Sequence, residues 1–122
     1  MSEARDWEGS VEANPEELTI RHHVDGETLV IEVSGEIDLH TASELQRTVD
    51  RLSPFPHPVV LDLGGVGFID STGIRALLAI NNRATETTGE PVTIAHATDS
   101  TRRLLELTGI DKIMTLGDPA SS

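Results

Sequence analysis

A serine at the expected start of a helix is the most distinctive candidate for chemistry in the sequence. Residues 68–73 read Phe-Ile-Asp-Ser-Thr-Gly, where a strand-like run gives way to a helical pattern. In the first turn of a helix the backbone amides lack intrahelical acceptors, and the positive end of the helix dipole lies there. A phosphoryl group on Ser71 would therefore be stabilised by about 0.3–1 kcal/mol. The simpler interpretation is that Asp70 or Ser71 is only the helix N-cap, because Ser, Thr, Asp and Asn predominate there.

A hydrolase nucleophile is another interpretation of the same serine. The nucleophile elbow of hydrolases requires a glycine on each side, and Ile69 occupies the first of these positions while only Gly73 fits. The base would have to be His96, with Asp99 nearby in sequence, although a surface histidine at a strand end is the more common case. We therefore expect no enzymatic activity and no catalytic residue.

Neither a nucleotide cofactor nor a metal ion is expected. A dinucleotide fingerprint that starts in the glycine-rich segment 64–67 would need its third glycine at position 70, where the charge of Asp70 repels a pyrophosphate. A P-loop is also excluded, because no Gly-Lys-Ser/Thr follows. A tight strand exit explains these glycines. His22 and His23 are adjacent on a predicted strand and therefore point to opposite faces, and the chain contains no cysteine.

The composition excludes several classes of partner. The 122 residues include 21 acidic and 9 basic ones, for a net charge of -12, and only 2% are aromatic. Such a chain repels the phosphate backbone and offers few stacking platforms, so nucleic acid is not an expected partner. The length and the hydrophobic fraction of 37% fit one domain. With no apolar run long enough for a membrane span or a signal peptide, we expect a cytoplasmic protein that does not bind a membrane.

Alternating strand and helix patterns are expected to position Ser71. Strand-like runs at residues 18–23 and 28–34 flank an Asp-Gly pair that is typical of a hairpin turn. Residues 41–44, Thr-Ala-Ser-Glu, form a capping box that predicts the start of a helix, which the prolines after residue 53 end. The next predicted elements are a strand buried on both faces at residues 59–63 and a second helix from residue 70 or 71 to about 88. They are followed by a strand at 91–95, a third helix at 98–108 and an edge strand or helical turn at 112–116.

This order of elements predicts an α/β fold in which a β-hairpin is followed by β-α repeats. Long crossovers imply a mostly parallel sheet, of four or five strands, with the helices packed mainly on one face. Residues 1–17 carry six acidic side chains and one basic one, which predicts a disordered acidic leader. The domain is expected to span residues 18–116, and residues 117–122 are expected to be a tail.

Four segments, in this order along the chain, resemble the bacterial anti-sigma factor antagonists of the STAS family, which is named for sulphate transporters and anti-sigma factor antagonists. They read Gly-Glu-Ile-Asp-Leu-His-Thr-Ala at 35–42, Val-Val-Leu-Asp-Leu at 59–63, Val-Gly-Phe-Ile-Asp-Ser-Thr-Gly-Ile at 66–74 and Arg-Leu-Leu-Glu-Leu-Thr-Gly-Ile at 103–110. The resemblance covers about residues 18–116 and implies a single STAS-like domain.

The resemblance implies a phosphorylation switch. In that family the serine matching Ser71 is phosphorylated by the partner anti-sigma factor, a serine kinase with the fold of histidine-kinase-like ATPases, and a phosphatase reverses the step. The unphosphorylated antagonist binds the anti-sigma factor and thereby releases the sigma factor. By the same resemblance Asp38 is an acidic residue important for partner recognition or phosphorylation, and Asp70, Thr72 and Gly73 are neighbours of the phosphorylation site.

One position departs from the family pattern. Many members have a small residue where this chain has Arg75, which lies four residues after Ser71 and can share its helix face. We hypothesise that Arg75 pairs with a phosphoryl group or with a carboxylate of the partner. The alternative is a solvated surface arginine.

Related domains of the same fold act as scaffolds of stress-signalling assemblies or as regulatory subunits of transporters, without phosphorylation at this serine. An acidic chain with a phosphorylatable turn favours the kinase-dependent version, because such switches act by charge. The sequence leaves both alternatives open.

Overall fold

The computed structural model describes residues 9–14 and 18–117 of the chain, in a six-stranded sheet with the strands in sequence order. The strands are β1 (Gly9–Asn14), β2 (Leu18–Asp25), β3 (Thr28–Ile37), β4 (Val59–Ile69), β5 (Thr93–Ala95) and β6 (Thr115–Leu116). The described helices are α1 (Ala42–Asp50), α2 (Ser71–Thr88), α3 (Asp99–Leu107) and a 3-10 turn at Ile110–Lys112. None of these helices has the length and hydropathy to cross a bilayer.

The predicted α/β architecture is confirmed. β2 and β3 form the antiparallel hairpin, and β3, β4, β5 and β6 pair in parallel through helical crossovers. α2 ends at Gly89, whose positive φ of 79° suits glycine. The last segment contains both of the predicted alternatives, since the 3-10 turn is followed by the short edge strand β6.

The predicted strand number and leader need correction. β1 pairs antiparallel with β2, with Gly9 opposite His22, so the sheet has six strands and residues 9–14 of the predicted disordered leader are its edge. An edge strand is held by backbone hydrogen bonds to one neighbour and needs little apolar periodicity, which is why the sequence pattern does not show it. Residues 1–8, 15–17 and 118–122 lie outside the described residues.

The sheet buries one face. Val59, Leu61 and Leu63 of β4 are buried, whereas Val60 and Asp62 between them are half-buried. The prediction that this segment is buried on both faces is therefore wrong, because the helices pack mainly on one side of the sheet. The core row across the sheet continues from Leu61 to Ile31 of β3 and Ile94 of β5, which are its register partners.

β4 is longer than predicted, and the glycine-rich segment 64–67 lies within it. The predicted tight strand exit at these glycines is wrong, because β4 stays paired with β3 as far as Ile69 opposite Ile37. A Cβ on Gly65 would lie 2.5 Å from the Ser34 hydroxyl oxygen and 3.0 Å from the Ser34 Cβ, so a side chain here would force Ser34 to move. The paired strands carry the chain directly to the start of α2.

The predicted capping box at residues 41–44 is also wrong. The Thr41 side chain makes no capping hydrogen bond, and Oε1 of Glu44 is buried without a partner. The Asp38 carboxylate instead accepts from the backbone amides of His40 (2.9 Å) and Thr41 (3.2 Å). The turn that leads into α1 thus begins at Asp38, and the earlier aspartate takes the place of the capping residue.

A buried asparagine ties α2 to the sheet. Asn81 is 4% exposed in the apolar stripe of α2, and its Oδ1 accepts a hydrogen bond from the backbone amide of Val92 at 2.8 Å. Val92 directly precedes β5. The bond therefore satisfies both a buried side chain and the backbone where the next strand begins.

Candidate functional site

The candidate site lies where β3 and β4 end side by side. Ile37 and Ile69 are register partners at the carboxyl ends of these strands, and the Asp70 amide donates to the Ile37 carbonyl at 3.2 Å. Adjacent strands lie about 4.8 Å apart, so Asp38 and Asp70 leave the sheet as neighbours. The structure thus brings together two residues that are 32 positions apart in the chain.

Asp70 is the N-cap of α2, as one of the two sequence alternatives states. Its backbone is extended, and its Oδ1 accepts from the Gly73 amide at 3.0 Å. Ser71 is then the first helical residue and is exposed. Among the described residues none accepts a hydrogen bond from the backbone amides of Ser71 or Thr72. Two free donors at the positive helix end therefore lie beside the Ser71 hydroxyl, which suits an attached anion.

The Asp70 cap leads to a stability prediction. Asp70→Ala removes the acceptor for the Gly73 amide and is expected to lower the free energy of unfolding by about 1 kcal/mol, measured by urea denaturation. Asp70→Asn is the matched control, because its side-chain oxygen still accepts the bond and should retain most of the stability. An equal loss in both variants would assign the effect to the carboxylate charge at the helix end.

Gly73 sets the close approach of α2 to the strand ends. A Cβ at this position would lie 2.6 Å from the Ile37 carbonyl oxygen and 2.7 Å from Cγ1 of Ile69. Real atoms do not approach so closely, so any side chain at residue 73 must displace the start of the helix. Gly73 therefore fixes where Ser71 lies relative to Asp38.

Asp38 and Thr41 hold the loop beside Ser71. Thr41 is 1% exposed, and its hydroxyl donates to the Glu36 carbonyl at 2.6 Å and lies 3.0 Å from the donating amide of Asp38. Oδ1 of Asp38 accepts from the turn and lies 3.3 Å from the same hydroxyl. This role of Thr41 is not evident from the sequence, because its Thr-Ala-Ser-Glu context matches a helix cap.

Arg75 lies one helical turn beyond Ser71. Both side chains are exposed, and Arg75 forms no ion pair with any residue that the structure describes. The acidic groups at this end of the sheet are Glu36, Asp38 and Asp70. Arg75 is therefore a cation that is available to a partner, at the border of an otherwise acidic surface.

Two exposed apolar side chains that the sequence pattern does not predict as part of the site lie next to it. Leu39 follows Asp38 and is 70% exposed, and Phe68 precedes Asp70 by two residues and is 51% exposed. The only signal for Phe68 was its place in the strand alternation, since Ile69 next to it faces the core. Large apolar side chains in solvent near a polar site are typical of protein contacts.

The histidine that a hydrolase would need is elsewhere. Nδ1 of His96 lies 3.0 Å from Oδ2 of Asp62, rather than beside Asp99. Asp62 precedes Ile69 by seven residues of extended chain, more than about 20 Å from the start of α2. His96 is thus out of reach of Ser71 and cannot serve as its base. Among the described residues no three His, Cys, Asp or Glu side chains form a group that could hold a metal ion.

Comparisons with known proteins agree with this architecture. The family model described as "Mlab, STAS domain" matches residues 20–116. The chain is 29% identical over 103 residues to the anti-sigma-F factor antagonist RsfB of Mycobacterium tuberculosis, which covers 84% of this chain and 83% of that one. It is 28% identical over 105 residues to the anti-sigma F factor antagonist of Paenibacillus polymyxa, which covers 84% and 86%.

A solved structure is also similar. The crystal structure of an anti-sigma factor antagonist from Mycobacterium paratuberculosis aligns with a TM-score of 0.73 and 31% sequence identity, over 84% of this chain and 86% of that one. The family model spans most of β2, all of β3 to β6 and the start of α2. Together with the order of strands and helices, the family model and this solved structure show that the chain belongs to the STAS domain family.

Proposed function

We propose that this protein is an anti-sigma factor antagonist that is switched by phosphorylation of Ser71. In its unphosphorylated form it binds an anti-sigma factor with serine kinase activity in the cytoplasm, and the bound sigma factor is released. The observation that carries the proposal is the exposed Ser71 hydroxyl at the first residue of α2, beside two free backbone amides. The names of the relatives support the choice of partner.

Charge explains how phosphorylation would switch binding off. A phosphoryl group adds about 1.5 to 2 negative charges at pH 7. On Ser71 it would stand next to Asp38 and Asp70, in a domain that is already acidic, and a partner docked there would be repelled. The free amides of α2 can donate hydrogen bonds to the phosphate oxygens without a change of fold. The switch therefore alters the surface that the partner meets and leaves the sheet in place.

Identification of the kinase tests the proposal. Ser71→Ala should retain the partner during purification, because it cannot be phosphorylated. The purified partner, incubated with ATP and the wild-type protein, should transfer phosphate to Ser71, which mass spectrometry of the peptides would locate. Ser43→Ala is the matched control, since Ser43 is also exposed in the first turn of a helix. Equal phosphate incorporation into Ser71→Ala and wild type would contradict the proposal.

The same experiment separates the alternative within this fold. A partner that binds Ser71→Ala and wild type equally, and that transfers no phosphate, would make the chain a scaffold or a regulatory subunit. Under the proposed function, a phosphatase is also required to return the protein to its binding form. Removal of phosphate from Ser71 should then restore the affinity for the partner.

Arg75 is expected to contribute to partner binding. Arg75→Ala should weaken binding of the anti-sigma factor by about three- to fivefold, the effect of an exposed charge pair, and the loss should shrink at high salt. Isothermal titration calorimetry measures this change. Arg51→Ala is the control, because Arg51 is exposed at the C-terminal end of α1. If Arg75→Ala changes neither affinity nor phosphorylation rate, Arg75 is a solvated surface residue.

A further inference from the structure

An apolar strip borders the Ser71 site on the side of α3. Phe68 and Leu104 line one cleft of about 150 Å³ between the end of β4 and α3, together with Ile69. Leu107 lies one turn further along α3 on the same helix face as Leu104. We call Phe68, Leu104 and Leu107 the apolar strip. It begins two residues before Asp70.

The strip is exposed although α3 has another face for the core. Thr101 and Leu105 of α3 are buried, whereas Leu104 is half-buried and Leu107 is 78% exposed, the highest value among the described large apolar side chains. Isolated apolar residues on a surface are ordinary, whereas Phe68 and Leu104 line one cleft across a strand end and a helix, and Leu107 extends this group by one helical turn. The cleft lining of Gly67, Phe68, Ile69, Ser100, Thr101 and Leu104 contains no charged residue, in a chain with a net charge of -12.

We propose that the apolar strip is the anchoring part of the surface that binds the anti-sigma factor. This inference rests on the proposed function. A kinase that reaches Ser71 must cover the start of α2, and a stable interface buries about 800 Å² on each partner, far more than one serine and its neighbours supply. The interface must therefore extend beyond the site. The strip adjoins the site, because Phe68 precedes Asp70 by two residues. Apolar side chains are what the centre of an interface requires.

The occupant that fits is an apolar segment of the anti-sigma factor. Glu36 of β3 is the register partner of Phe68, and Asp38 follows the end of β3, so these two carboxylates suit polar contacts at the rim of the strip. Arg103 is exposed beside the strip and has no ion pair among the described residues, so it can meet an acidic group at the edge of that segment. The apolar strip and the Ser71 site therefore have separate roles in binding. The strip supplies affinity, and the charge on Ser71 decides whether the partner stays bound.

The test compares two exposed apolar residues, of which Leu107 belongs to the apolar strip and Ile113 lines a different cleft. Leu107→Ser should weaken binding of the purified anti-sigma factor by about tenfold or more, measured by isothermal titration calorimetry. It should also raise the KM for phosphorylation of Ser71 more than it lowers kcat, because the strip binds without contacting the transferred group. Ile113→Ser is the matched control, since Ile113 is 50% exposed and lines a separate cleft with Asn82 and Glu86 of α2. Its affinity should stay within about twofold of the wild-type value.

Leu107→Ser is preferred to substitution of Leu104, which also packs against the core. An unchanged Tm for Leu107→Ser excludes unfolding as the cause of weaker binding.

Wild-type affinity of the Leu107→Ser variant, with binding still lost in Ser71→Asp, would overturn the inference and leave the proposed function intact. A change in the oligomeric state of Leu107→Ser, measured by sedimentation, with unchanged partner affinity would make the strip a contact between copies of this chain and would also overturn it. Unchanged binding of Ser71→Asp would remove the proposed function and the inference with it.

Discussion

Substitution of Ser71 by aspartate is expected to weaken binding of the anti-sigma factor by about a hundredfold or more. Like charges brought together in an interface cost several kcal/mol, and each 1.4 kcal/mol is a factor of ten in affinity. The new carboxylate would lie beside Asp38 and Asp70, at adjacent strand ends, where a docked partner excludes water. Full phosphorylation should have a larger effect than aspartate, because it adds more charge.

A neutral variant isolates the role of charge at this position. Ser71→Asn has nearly the shape of aspartate, so it should retain most of the affinity if repulsion is the cause. The difference between Asp and Asn should decrease as ionic strength rises, because salt screens exposed charges. Amide chemical shifts should change only around the start of α2 and the end of β3. Shifts across the whole sheet after phosphorylation would contradict a switch that acts at the surface.

Gly73→Ala is expected to lower the free energy of unfolding by about 2–3 kcal/mol and to impair partner binding in the fraction that folds. Its Cβ would meet the Ile37 carbonyl oxygen at 2.6 Å and the Ile69 side chain at 2.7 Å, and two of the closest contacts are thus to the ends of β3 and β4. Neither strand end can move without losing the sheet pairing that holds Asp38 beside Asp70. The start of α2 must shift instead, and overpacking of this kind costs about 1–3 kcal/mol.

Gly67→Ala provides the control for this prediction. A Cβ on Gly67 meets no atom within 4 Å, so its stability should stay within about 0.5 kcal/mol of the wild-type value in urea denaturation. Equal losses in the two variants would show that backbone freedom rather than contact governs both positions. A stable Gly73→Ala variant with normal phosphorylation of Ser71 would show that the start of α2 tolerates displacement.

Local signals in the sequence were sufficient for the hairpin, for α2 and for the candidate serine. The Asp-Gly turn between β2 and β3 and the glycine that ends α2 act within a few residues of their own position, and the structure has both where the sequence predicts them. The Asp70 cap is likewise a contact across three residues. Such features depend on backbone geometry and short-range hydrogen bonds, which residue type alone specifies.

The cap of α1 shows where local rules fail. The Thr-Ala-Ser-Glu sequence meets every requirement of a capping box. In the structure, however, the Asp38 carboxylate accepts from the Thr41 amide, and the Thr41 hydroxyl donates to the Glu36 carbonyl. The capping box and the turn at Asp38 are alternative sets of hydrogen bonds, and the conformation of the loop that joins β3 to α1 permits only the second. The strand β1 was hidden for a related reason, because its pairing with β2 leaves no mark in its own residues.

The place of Ser71 at the start of a helix, the acidic charge and the order of the strands and helices from β2 onward follow from the residues in sequence, because each depends on residue type and spacing. The neighbourhood of Ser71 depends on the tertiary structure. The register of β3 against β4 places Asp38 next to Asp70, and the packing of α3 against the end of β4 joins Phe68 to Leu104. These pairs are separated by more than 30 residues, and only the hydrogen-bonded sheet and the core beneath it determine which of them meet.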